Sequence, residues 1–123
     1  MSVEIVVTVS MIDGAVLKYM RKVKKLTQSD ITKVINISIA QYSRYETGNC
    51  DVPIKVIRAV TKLVENDILD FCKHVHRVAE RLRVTGVTIL DMPLSTEEAF
   101  LSQKILLNER TLRTFVMEMA NEQ

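Results

Sequence analysis

The sequence predicts a mainly α-helical domain with short β-strands near both ends. Three observations carry that reading. Apolar residues recur at three- and four-residue spacing through most of 14–83 and again after residue 95. Residues 26–48, LTQSDITKVINISIAQYSRYETG, hold two short helical patterns parted by a tight turn. The runs VEIVVTV (3–9) and VTIL (87–90) are apolar and β-branched, as strands prefer. A chain of 123 residues, 47% apolar, suits one domain or a small domain with an appendage.

The elements follow in order. Residues 3–9 read as a strand. Asp13 is the expected N-cap of a first helix over 14–25, with Val16, Leu17, Met20 and Val23 inward and lysines crowding its C-terminal end, where the macrodipole favours cations. Thr27 with Asp30 forms an approximate capping box for a helix over 28–35, with Ile31, Val34 and Ile35 inward. Asn36 tolerates the left-handed turn. Ser38 caps a third helix, 39–46, with Tyr42 and Tyr45 inward, and Gly48 ends it. Pro53 opens a fourth helix to about 65. Asn66 or Asp67 restarts a fifth that runs to about 83. Thr85-Gly86 breaks the pattern before the strand 87–90. Met92-Pro93-Leu94 is a connection. Ser95 and Glu98 cap a helix over 96–107, and Asn108 caps a last one over 109–120, unless the two run on as one.

Charge is unevenly placed. Residues 1–65 hold ten Lys and Arg against six Asp and Glu, a balance of +4. Residues 66–123 hold seven against nine, a balance of −2. The basic excess coincides with the paired short helices, where lysines add long-range attraction for an anionic partner. No apolar run approaches the ~20 residues needed to span a bilayer, and the first ten residues lack a signal-peptide pattern. Cys50 and Cys72 have no metal or disulfide spacing, which points to a reducing cytoplasmic location. His74 and His76, two residues apart, face different sides of a helix and make no metal pair; they read as surface or interface residues. No catalytic triad or phosphate loop is legible, so no catalytic residue, metal site or cofactor is assigned, and an enzyme is not expected. The methionines read as packing.

Residues 15–65 resemble the Cro/CI-type, Xre-like helix-turn-helix family of phage repressors and bacterial regulators. The resemblance rests on Arg21, Leu26-Thr27-Gln28, Ile31, Ile37-Ser38, Tyr45-Glu46-Thr47-Gly48 and Pro53, in order and at matching spacings. It covers about two-fifths of the chain. Asn36 in place of the usual Gly, Thr32 in place of a small Ala, and Cys50 depart from the family pattern. The resemblance implies a five-helix lambda-repressor-like domain over 12–83, preceded by an N-terminal strand (1–11) and followed by a strand plus helical dimerisation segment (84–123). It implies that Thr27 and Gln28 meet a DNA phosphate at a helix N-terminus. Ser38, Ile39, Ala40, Gln41 and Arg44 then face bases in the major groove, with Gln suited to adenine, Arg to guanine and apolar groups to thymine methyls. Ile39 is alternatively packed against the preceding helix. Asn49 and Lys55 lie over the DNA backbone. Arg21 and Glu46 match a structural ion pair between the first and third helices.

Such domains read palindromic sites as dimers. The apolar residues after 84, among them Ile89, Leu90, Phe100, Leu101, Ile105, Leu112, Phe115 and Val116, are assigned to a homodimer interface. The strands at 3–9 and 87–90 pair either within one chain or between two. The function expected is a sequence-specific DNA-binding regulator, a phage or mobile-element repressor. The alternative is an antitoxin-type protein that neutralises a protein partner and autoregulates; a terminal segment that orders only on its partner would distinguish it.

Overall fold

The computed structural model describes residues 3–93 and 95–121, leaving Leu94 of the 92–94 connection outside. Strand β1 (Glu4–Thr8) passes without a loop into α1 (Val9–Val23). Thr8 makes that junction possible, because its backbone is still extended while its side-chain oxygen accepts from the Met11 N–H at 3.1 Å. The expected cap at Asp13 is therefore corrected: Asp13 lies inside the helix, and Lys24 and Lys25 lie beyond its end. A β-branched run leading straight into a helix hides the boundary, because Thr8 serves both as the last strand residue and as the cap.

The helices α2 (Gln28–Ile35), α3 (Ile39–Thr47), α4 (Ile54–Leu63) and α5 (Ile68–Val84) follow, with β2 (Thr88–Leu90), α6 (Thr96–Leu101), β3 (Lys104–Leu106) and α7 (Glu109–Asn121). Seven helices and three strands are thus present among the described residues. Val34 is 61% exposed and Val23 is also exposed, against expectation. In a helix as short as α2, the inward face is filled by Ile31 and Thr32, with Ile35 half-buried. Leu69 and Cys72, placed on the helical pattern of α5, are exposed as well.

The strands form one sheet in the order β2-β1-β3, both pairs parallel. Val7 pairs with Ile89 and Ile5 with Ile105. The pairing of strands 3–9 and 87–90 is within the chain. The expected helix over 96–107 stops at Leu101. Gln103 turns left-handed at φ 55, its carbonyl accepts from Glu4 N–H at 3.0 Å, and the chain enters β3. Val6 and Val7 point to opposite faces and both are fully buried, so the middle of the sheet is covered on each side.

A single core joins Val7 of β1 to Leu112, Val116 and Met119 of α7. Helix α1 is its axis, packing against α3, α4, α5 and α7. His74, expected at the surface or an interface, is not on the surface. It is buried between α5 and α7, with Nε2 2.8 Å from the Val116 carbonyl and its ring edge-on to Tyr19. Burial holds its pKa down, partly offset by that hydrogen bond, so the ring is neutral and donates from Nε2. Among the described residues no helix is long and apolar enough to cross a membrane.

Candidate nucleic-acid interface

Helices α2 and α3 are set by their ends. Thr27 and Asp30 complete a reciprocal capping box: Thr27 N–H donates to Asp30 Oδ2 at 2.8 Å, and Asp30 N–H donates to Thr27 Oγ1 at 3.0 Å. These bonds hold the Asp30 carboxyl below its ordinary pKa. Asn36 ends α2 in the left-handed conformation at φ 57, which reverses the chain within a few residues. Ser38 caps α3 by accepting from Gln41 N–H at 3.0 Å. Gly48 closes α3 at φ 79, and a side chain there would strike Met11 of α1.

The anchoring of α3 is the tightest feature of the region. Arg21 of α1 grips Glu46 with two parallel bonds, Nε to Oε2 at 2.7 Å and Nη2 to Oε1 at 2.9 Å. Its Nη1 donates to the Leu26 carbonyl at 2.7 Å, tying down the segment that leads into α2. Gln28 Nε2 adds a bond to Glu46 Oε1 at 3.1 Å. Arg21 is 7% exposed and Glu46 4%. Burial alone would raise the Glu46 pKa; the bonds from Arg21 and Gln28 outweigh it and hold the carboxylate ionised. The Tyr42 hydroxyl is buried nearby without a hydrogen-bond partner of good geometry.

A second anchor was not anticipated from sequence. Gly14 sits where α1 crosses the end of α3. A methyl group there would lie 2.7 Å from the Glu46 carbonyl oxygen and closer still to that of Tyr45. With the helix expected to begin at residue 14, Gly14 read as a first-turn residue; only the true start at Val9 places it inside the helix, where a glycine has a packing reason. The loop after α3 is pinned too, because Ser10 Oγ of α1 donates to Asp51 Oδ1. Beside it, burial and then the charge of Asp51 push the Asp13 carboxyl up to about 6.

These anchors turn one side of α3 inward and leave the other free. Tyr42, Tyr45 and Glu46 are buried, whereas Ser38, Ile39, Ala40 and Arg44 are exposed. Ile39 is half exposed, at 50%. Gln41 is half-buried and its Nε2 lies 3.6 Å from Cys50 Sγ, so it leans towards the following loop. Thr27, Asn49 and Lys55 are exposed around this surface. Gln28 spends one amide hydrogen on Glu46 and keeps the other.

The residues assigned to dimerisation separate into groups. Leu112 and Val116 are buried in the protein's own core, a correction to their expected role: α7 packs against α1 and α5, leaving them no surface to offer. Ile89 and Phe115 pack partly against the same core, and Leu90 is half-buried. Phe100, Leu101 and Ile105 stand in solvent. Among the described residues no cluster of His, Cys, Asp and Glu has the arrangement of a metal site. No protein-family model, curated protein or solved structure matches this chain.

Proposed function

We propose that the chain is a sequence-specific DNA-binding regulator, a repressor of the phage or mobile-element kind, that acts as a homodimer on a palindromic operator. The observation that carries the reading is the two-sidedness of α3. One side is clamped to α1 through Arg21–Glu46 and Gly14, and the other presents Ser38, Ile39, Ala40 and Arg44 outward. A rigid helix with an exposed Arg and small neighbours fits a major groove, where Arg holds guanine through two hydrogen bonds. Gln28 at the start of α2 supplies a backbone N–H and an amide, and Asn49 its exposed side-chain amide, for flanking phosphates. The likeness of residues 15–65 to Cro/CI-type domains gives the same arrangement. The packing of α7 into the core supports this reading over one in which a terminal tail folds on a protein partner.

Fluorescence anisotropy of the full chain on mixed-sequence duplex DNA tests it. Binding that weakens by orders of magnitude between about 50 and 200 mM salt is expected if several phosphates are neutralised. Gln28→Ala should weaken every sequence alike. Absence of binding at low salt would refute the proposal.

A further inference from the structure

The later turns of α1 and the middle of α7 enclose a groove of about 310 Å³. Its lining follows from helical spacing. Ala15, Tyr19 and Val23 recur every four residues and form one stripe along α1, and Lys18 and Lys22 form the stripe beside it. On α7, Arg113, Val116 and Met117 stand at i, i+3 and i+4, so they share the face that meets those stripes. Ala15 and Val116 are buried at the floor, whereas Val23 and Met117 are each more than half exposed. Among the described residues no acidic side chain lines the groove, and neither Lys22 nor Arg113 has an ion-pair partner. Lys18 meets Glu109 only at 3.8 Å, beyond hydrogen-bond reach, and Glu109 is largely exposed, so that contact holds it weakly.

We propose that this groove binds a free small molecule that joins an apolar body to an anionic head, of the medium-chain carboxylate class. Charge complementarity carries the assignment. Three cations line an apolar cleft from which acids are absent among the described residues. A carboxylate or phosphate head takes charge-assisted hydrogen bonds from Arg113 and Lys22, with Lys18 one turn away from Lys22. The apolar body covers Val23, Val116 and Met117 and frees the water held against them. The methylene stems of the Lys and Arg side chains add to that contact. The volume falls at the small end of the roughly 300–1,000 Å³ typical of small-molecule sites. Duplex DNA fits less well, because its phosphates meet the cations and leave the apolar floor wet. A bilayer lipid also fits less well, since its chain must leave the membrane to reach the buried Ala15 and Val116. None of the lining residues belongs to α2, α3 or the loop 48–53, so occupancy is measured without DNA.

Titration of the full chain with decanoate, decanol and decylammonium, each below its micelle concentration and followed by amide ¹⁵N–¹H correlation spectra, tests the proposal. Decanoate should bind saturably with a Kd below about 1 mM and shift amides of 15–23 and 113–117. Decanol and decylammonium should bind at least about tenfold more weakly. Arg113→Glu and Lys22→Glu, both at exposed positions, should each weaken decanoate by about tenfold or more and leave the rest of the spectrum in place. Vesicles of phosphatidylglycerol provide the membrane arm. No saturable decanoate binding up to about 1 mM, decanol bound as tightly as decanoate, or shifts centred away from α1 and α7 would each overturn the site. So would variants that bind decanoate as the wild type does, or a chain that binds the vesicles and ignores free decanoate.

Discussion

Removing Glu46 should nearly unfold the protein. The Arg21 guanidinium beneath it is 7% exposed and depends on Glu46 for two of the hydrogen bonds described above. With Glu46→Ala the guanidinium keeps only the Leu26 carbonyl, and a charge stays buried without its counterion. Breaking a buried pair in this way costs about 3–5 kcal/mol. Natural domains hold about 5–15 kcal/mol in all, so the variant sits near the edge of stability. The Tm should fall by roughly 10 °C or more. The double variant Arg21→Met/Glu46→Leu removes both charges and fills the space, and it should recover most of the loss. Urea denaturation of the wild type, both single variants and the double variant, followed by circular dichroism, measures this directly. A single-variant cost below about 1 kcal/mol, or a double variant no better than the worse single one, would refute the claim that this pair locks α3 to α1.

Two further predictions concern the same anchors. Asp13 carries a pKa raised from the ordinary 3.8 to about 6, so the folded state binds its proton more tightly than the unfolded chain does. Its contribution is favourable while the group is protonated and is lost as pH rises through about 6. Asp13→Asn should therefore stabilise the protein at pH 7 by about 1–2 kcal/mol after allowance for solvent screening, and should do nothing near pH 4; a pH-independent effect in thermal melts would contradict the assignment. Gly14→Ala should destabilise by about 1–3 kcal/mol, opposite in sign to the gain usual for this change inside a helix. The added methyl meets the α3 backbone, and a Tm at or above that of the wild type would show that α1 and α3 do not touch there.

What could be read from sequence was local. The ends of α2 and α3 are written in Thr27, Asp30, Asn36, Ser38 and Gly48, each acting within four residues of itself. The β3 segment was misread because Leu101, Ile105 and Leu106 also suit a helical spacing. Only the approach of β1, about a hundred residues away, decides for a strand, and parallel pairing leaves no local turn signal. His74 failed for the same reason, since its partner carbonyl lies 42 residues on. The Arg21–Glu46 pair was reached through the family resemblance, and spacing alone would not have found it. Leu112 and Val116 show the converse: helical spacing identifies an apolar face but does not say whether the neighbour on it belongs to the same chain.

The most direct test of the central claim is selection of bound fragments from random duplex DNA by the wild type and by Arg44→Ala. The outward side of α3 should select an inverted repeat with half-sites about one helical turn apart, and Arg44→Ala should lose preference at one base position per half-site at a cost of about 1–3 kcal/mol. Fragments without a shared sequence, or an Arg44→Ala protein that selects the same bases as the wild type, would contradict it.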